Sequence, residues 1–152
     1  MIMTLNDVLT KQNVITKILL QVGEKELSKE AKVKNMSLRM KYNKIKNQFD
    51  EDTQEFISQI VTDEFKELAN KSERTEQEEA KYKELDLKIN SEYFEYLDQK
   101  GREEIKESID DAFSEEEYAE IVDVNSANDV EINGNPVKAT DLLEIFYNLF
   151  VK

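Results

Sequence analysis

The 152-residue chain contains no cysteine and no histidine. Without cysteine there can be no disulfide, no thiol nucleophile and no cysteine-ligated zinc. Without histidine the chain lacks the side chain most often used for proton transfer near neutral pH, which is also the commonest transition-metal ligand. We therefore expect a protein that is not an enzyme and that uses no metal and no other cofactor.

The motifs that build phosphate, nucleophile or calcium sites are also missing from the sequence. There is no glycine-rich phosphate loop and no GxSxG turn. Carboxylates cluster at Asp50–Asp52 and at Asp110–Asp111, but neither cluster has the central glycine and terminal glutamate of a calcium-binding loop. The sequence therefore predicts no catalytic, cofactor-binding or metal-binding residue.

Long apolar runs are absent as well. No run approaches the ~18 apolar residues that a membrane-spanning helix needs. The first ten residues, MIMTLNDVLT, lack the basic start and apolar stretch of a signal peptide. We expect a cytoplasmic protein that does not interact with a membrane.

Glycine and proline are scarce, which predicts the fold class. The chain has three glycines and one proline, and none of them lies between Gly23 and Gly101, the two positions where we expect helices to end. Such a stretch, rich in Lys, Glu, Leu and Ile, predicts long helices. The expected fold is mainly α, a long antiparallel helical hairpin or elongated helical bundle. It forms one domain, with a helical part at residues 1–124 and a β-hairpin plus terminal helix at residues 125–152.

Apolar periodicity gives the helix boundaries. Helices are predicted at residues 6–22, 27–69, 75–100, 102–113 and 115–122. The acidic cluster at Asp50–Asp52 could divide the long second helix, but without glycine or proline we predict one continuous or mildly kinked helix. Thr75 with Glu78 and Ser114 with Glu117 have the form of capping boxes.

The period changes near the C-terminus. Val130–Ile132 and Pro136–Lys138 flank Asn133-Gly134, and this dipeptide between short alternating segments predicts a β-hairpin. Asp141 is then expected to cap a last, strongly apolar helix. That helix is either a core or lid helix or a surface for homo-oligomerisation. The candidate oligomerisation residues are Leu142, Phe146, Leu149 and Phe150.

Charge is distributed unevenly. The net charge is −13, yet residues 1–50 carry ten basic and five acidic side chains, and the remainder carries a net −18. The basic residues concentrate in a strip: Lys29, Lys32, Lys34, Arg39, Lys41, Lys44 and Lys46. Two interpretations stay open. The strip either pairs internally with an acidic segment across the helical hairpin, or it binds a partner. Direct nucleic-acid binding is not expected, because the acidic remainder repels phosphates.

The acidic residues offer the candidate interaction surface. Carboxylates along a stiff helix can present negative charge to a basic partner protein and accelerate association by electrostatic steering. A solvated helix face is the alternative interpretation. The candidate partner-binding residues are Glu103, Glu104, Glu107, Asp110, Asp111, Glu115 and Glu116.

The order of these segments carries a resemblance. A lysine-rich helix (LSKEAKVKNMSLRMKYNKIKNQF) precedes an acidic helix (TEQEEAKYKELDLKINSEY) and a terminal VEINGNPVKATDLLEIFYNLF. This pattern resembles small uncharacterised proteins encoded by phages and prophages of AT-rich Gram-positive bacteria. The resemblance implies an accessory role in the host cytoplasm. That role is either inhibition of a host factor, such as a nucleic-acid-handling defence system, or assembly of the virion head or tail.

Overall fold

The computed structural model describes residues 3–22, 27–125, 130–132 and 134–151. Within these residues the chain is mainly helical, as predicted, with six helices and two short strands. The elements are α1 (Leu5–Val22), α2 (Lys29–Ile60), α3 (Asp63–Asn70), α4 (Glu76–Arg102), α5 (Glu115–Asn125), β1 (Val130–Ile132), β2 (Asn135–Val137) and α6 (Ala139–Phe150). The predicted helix end at Gly23 lies outside the described residues, and Gly101 lies within the last turn of α4.

The chain divides into two compact units. The first unit comprises Met1–Lys46 and Ile105–Lys152, and the second comprises Asn47–Glu104. Helix α2 contributes its N-terminal half to the first unit and its C-terminal half to the second. The boundary that we placed near residue 124 falls inside the first unit.

The core of the first unit is built around the terminal helix. Phe146 and Phe150 are fully buried, and both rings pack edge-on against Phe113, with centroids 5.1 and 5.7 Å away. Leu142 is buried in the same core and Leu149 packs partly buried against it. The prediction of an oligomerisation surface at these residues is therefore wrong. The apolar face of α6 is buried inside the first unit. The helix therefore has the core role that the sequence left open as the alternative.

The two strands pair antiparallel, with Val130 opposite Val137 and Ile132 opposite Asn135. Gly134 has a φ of +78°, a conformation that glycine adopts at no steric cost. Asn133, the other predicted turn residue, lies outside the described residues. The first turn of α6 differs from the prediction, because Lys138 occupies the N-cap position and Asp141 lies inside the helix.

The second unit is held by ring pairs between α4 and the helices that precede it. Phe56 stacks on Tyr96 with 4.2 Å between centroids, and Phe65 stacks on Tyr82 at 5.3 Å. Helix α4 begins with the predicted capping box, because Thr75 and Glu78 each accept a hydrogen bond from the other's backbone N–H. The two ring pairs join α2 and α3 to α4.

The predicted continuous helix over residues 27–69 is wrong. The helix ends at Ile60, and α3 begins at Asp63, immediately after Thr62. The Thr62 hydroxyl accepts a hydrogen bond from the backbone N–H of Phe65 at 3.2 Å, and two acidic residues follow in the first turn. A threonine cap and favourable charges at a helix N-terminus can thus start a new helix without glycine or proline.

We expect the substitution Thr62→Ala to lower the free energy of unfolding by about 1 kcal/mol, since it removes the acceptor of the α3 cap. Thr62→Ser keeps the hydroxyl and is expected to stay close to the wild type. Urea unfolding followed by circular dichroism measures both variants. Equal stability of Thr62→Ala and Thr62→Ser would show that the cap does not stabilise the break.

Residues 102–113 do not form the predicted helix. Helix α4 ends at Arg102, and no helix occurs again until α5 begins at Glu115. The backbone between them bonds to distant segments instead: the N–H of Ile105 donates to the carbonyl of Met3, and that of Phe113 donates to Phe150. Tertiary pairing therefore replaces the local helical bonds that the apolar spacing had predicted.

Candidate functional site

The strongest candidate site is the acidic segment, which we define as residues 105–117 of the first unit. Its backbone is fixed near both ends, by the 3.0 Å bond from Ile105 to Met3 and the 2.8 Å bond from Phe113 to Phe150. Phe113 also forms a parallel bridge with Val151. Residues 105–114 of the segment are non-helical, and residues 115–117 form the first turn of α5.

A buried carboxylate anchors the middle of the acidic segment. Asp111 Oδ2 accepts a hydrogen bond from the Lys11 ammonium at 2.7 Å and another from the Tyr42 hydroxyl at 2.7 Å. All three residues are at most 9% exposed. Burial, together with the hydrogen bond to Asp111, raises the pKa of Tyr42 well above its usual range, so the hydroxyl keeps its proton and remains a donor. This triad ties α1 and α2 to the acidic segment.

The C-terminal end of the acidic segment is anchored by an ion pair. The Lys34 ammonium lies 3.0 Å from Glu117 Oε2, donates to the carbonyl of Ala112 at 2.5 Å and sits 4.1 Å from the centre of the Phe113 ring. Glu117 also closes the predicted capping box with Ser114, with bonds of 3.0 and 3.1 Å. Partial burial acts to raise the pKa of Glu117, but the bonds from Ser114 and Lys34 outweigh it and lower that pKa.

The predicted partner-binding carboxylates are exposed at some positions and buried at another. Glu107, Asp110, Glu115 and Glu116 are exposed on the acidic segment, whereas Asp111 is buried and satisfied by Lys11 and Tyr42. Asp111 cannot bind a partner in this fold, so that prediction is wrong. Glu103 and Glu104 are also exposed, and they belong to the second unit.

The exposed carboxylates differ in whether another side chain forms a hydrogen bond or an ion pair with them. Glu115 accepts a 2.7 Å hydrogen bond from the Tyr147 hydroxyl, which raises the pKa of Tyr147. Among the described residues, nothing forms a hydrogen bond or an ion pair with the side chains of Glu107 and Glu116. These two charges are therefore available to a partner without breaking an internal contact.

The basic strip is only partly used inside the molecule. Lys34 pairs with the acidic segment, in agreement with the internal interpretation. In the part of the chain that the structure describes, no carboxylate lies within ion-pair distance of Lys29, Lys32, Lys41 or Lys44. Exposed apolar residues that the core-facing pattern of the sequence did not indicate accompany these lysines on α2: Val33, Met36 and Met40, with 59, 53 and 66% of their surface exposed.

A pocket of about 250 Å³ in the second unit is lined by Phe56, Glu92, Glu95, Tyr96 and Gln99, and it contains no nucleophile paired with a base. Among the described residues, no three carboxylates come together in a way that could hold a metal ion. None of the described helices is both long and apolar enough to cross a membrane.

Comparison with protein-family models, with curated proteins and with solved structures finds no match to this chain. The phage resemblance therefore stays a prediction, and the function has to be argued from the residues of the acidic segment. What the arrangement can do is clear from its chemistry. A backbone anchored at Ile105 and Phe113 presents Glu107 and Glu116, which no described residue neutralises, and such carboxylates suit a positively charged partner.

Proposed function

We propose that this protein acts without catalysis, by stoichiometric binding of a basic surface on another protein through its acidic segment. The observation that carries the proposal is the contrast between buried and exposed carboxylates. Asp111 is buried and accepts hydrogen bonds from Lys11 and Tyr42. Glu107 and Glu116 are exposed without a partner among the described residues.

The charge of the whole chain supports the same function. A net charge of −13 attracts basic partners over a distance of about one Debye length, ~8 Å at physiological salt. This field raises the association rate, and the anchored segment then supplies the specific contact. We further propose that the helices of the second unit retain an antiparallel hairpin, as predicted from the sequence. The ring pairs Phe56–Tyr96 and Phe65–Tyr82 support it within the second unit.

The target that we propose is a host factor that handles nucleic acid, including a defence system. Such proteins carry grooves lined with Lys and Arg that bind phosphates. Exposed carboxylates on a fixed backbone can occupy such a groove in place of the phosphates. The resemblance to small phage and prophage proteins favours a host target, and the virion-assembly role remains the alternative that the experiment separates.

A capture experiment with matched variants tests the proposal. The tagged protein is incubated with lysate of a candidate host, and bound proteins are identified at about 0.15 M salt. The double variant Glu107→Lys/Glu116→Lys is compared with Glu131→Lys/Glu144→Lys, which makes the same charge change at exposed positions elsewhere in the first unit. We expect the first variant to capture at least about tenfold less partner than the wild type, and the control to capture as much as the wild type.

The outcomes separate the hypotheses. A nucleic-acid-handling partner lost only with Glu107→Lys/Glu116→Lys supports the inhibitor function. Capture that is lost equally in both variants reflects net charge alone and contradicts a specific role of the acidic segment. Recovery of virion proteins from phage-infected cells, and of no host factor, would replace the inhibitor by the assembly role.

A further inference from the structure

A second face of the molecule has an organised pattern that the acidic segment does not explain. Lys29, Val33, Met36 and Met40 follow one another on α2 at spacings of four, three and four residues. This is the repeat that lines the seam between paired helices. We call these four residues the α2 seam.

The α2 seam points away from the core of the first unit. Leu38 and Tyr42, on the opposite side of the same helix, are 2 and 0% exposed, whereas the three apolar seam residues are more than half exposed. A single exposed apolar residue is unremarkable, but three in register form a ridge. From Lys29 to Met40 the ridge extends for ~17 Å at 1.5 Å per residue, about three helical turns.

The charges beside the α2 seam specify the chemistry of its occupant. Lys32 lies at a position that flanks the seam and Lys44 lies one turn beyond Met40, and in paired helices the charges beside a seam select the partner. The only acidic residue between Lys29 and Lys46 is Glu30. Neither Lys32 nor Lys44 has an ion-pair partner among the described residues, so an incoming carboxylate displaces no existing contact there.

We infer that the α2 seam binds an acidic amphipathic helix of another protein, with an apolar seam of its own flanked by Asp or Glu. Met36 and Met40 suit this task because the flexible, polarizable thioether side chain adapts to the shape of the partner. The inference goes beyond the proposed function, because it concerns an acidic partner and a different surface.

A second copy of this chain fits the α2 seam less well. Two α2 seams facing each other would bring their lysines together. The exposed apolar residues of α4, Leu87 and Phe94, are accompanied by Lys83 and Lys88 and so offer no uniformly acidic flank.

The test uses a designed probe. A fluorescein-labelled peptide of about 21 residues carries Leu at the seam positions and Glu at the flanking positions, and a second peptide carries Lys instead of Glu. Binding to the full chain is followed by fluorescence anisotropy. We expect the Glu peptide to bind at least about tenfold more tightly than the Lys peptide.

Three variants locate the binding surface. We expect Met36→Ser/Met40→Ser to lower the affinity for the Glu peptide by at least about tenfold. We expect Lys32→Glu/Lys44→Glu to weaken binding of the Glu peptide and to strengthen binding of the Lys peptide. Lys41→Glu changes the charge at an exposed position of α2 outside the seam and serves as the control, which we expect to have little effect.

Several outcomes would overturn the inference. The Glu peptide could bind no better than the Lys peptide, or Lys41→Glu could weaken it as much as the seam variants do. Sedimentation showing self-association that depends on Met36 and Met40 would assign the seam to a second copy. Binding to vesicles of phosphatidylserine that depends on the same residues would assign it to a lipid surface.

Discussion

Replacing Asp111 by alanine is expected to lower the free energy of unfolding by about 3–5 kcal/mol, the usual consequence of removing one partner of a buried ion pair. The Lys11 ammonium and the Tyr42 hydroxyl, each 2.7 Å from Asp111 Oδ2, would both lose their acceptor inside the protein. Urea unfolding followed by circular dichroism measures the loss.

The neighbouring Asp110 supplies the matched control. Its side chain is exposed, and its Oδ1 accepts only a long 3.5 Å hydrogen bond from Ala112. We expect Asp110→Ala to change stability by no more than about 0.5 kcal/mol. The double variant Lys11→Met/Asp111→Ala should lose less than the sum of the single variants, because it leaves no buried charge without a partner. Equal effects of Asp110→Ala and Asp111→Ala would contradict the anchoring role of Asp111.

Phe146→Ala is expected to cost about 3–5 kcal/mol, because the ring is fully buried and its removal leaves a cavity. The ring lies 4.6 Å from that of Phe150 and 6.2 Å from that of Tyr118, measured between centroids. Thermal unfolding measures the loss.

Ile145 precedes Phe146 on the same helix and is 45% exposed, which makes Ile145→Ala the control. We expect this control to lose less than about 1 kcal/mol, since little apolar surface leaves the core. Sedimentation of both variants distinguishes a core residue from an interface residue. If Phe146→Ala unfolded like the wild type and only shifted an association equilibrium, the assignment of α6 to the core would be wrong.

The helices that the sequence could predict are those with strong local signals. Thr75 with Glu78 and Ser114 with Glu117 satisfy each other's backbone groups within three residues, so the signal for each capping box lies in the local sequence. The break at Thr62 carried a weaker version of this signal, a threonine followed by two acidic residues. The scarcity of glycine and proline outweighed it in the sequence analysis.

The acidic segment was mispredicted because two periods fit it. Ile105, Ile109 and Phe113 recur at helical spacing, yet Ile109, Asp111 and Phe113 also alternate as in an extended strand. Burial follows the second pattern, since Asp110 and Ala112 are exposed while Asp111 and Phe113 are buried. The alternation could have shown which aspartate faces the core. Its partners Lys11 and Tyr42 lie 100 and 69 residues away in the chain, and no local pattern indicates them.

The outward stripe on α2 was overlooked for a similar reason. The apolar stripe predicted for this helix contains residues such as Leu38 and Tyr42, and these are buried. Val33, Met36 and Met40 form a second repeat on the other side of the helix. A sequence shows both repeats, but only the fold distinguishes the one that is covered from the one that is exposed.

The most direct test of the central claim is a calorimetric titration of the purified captured partner into this protein at about 0.05 and 0.3 M salt. We predict a fixed molar ratio, an affinity that falls as salt rises, and an affinity reduced by at least about tenfold in Glu107→Lys/Glu116→Lys but not in Glu131→Lys/Glu144→Lys. Equal affinities for the wild type and both variants would contradict binding through the acidic segment. So would inactivation of the partner by a small fraction of an equivalent, which requires turnover rather than stoichiometric binding.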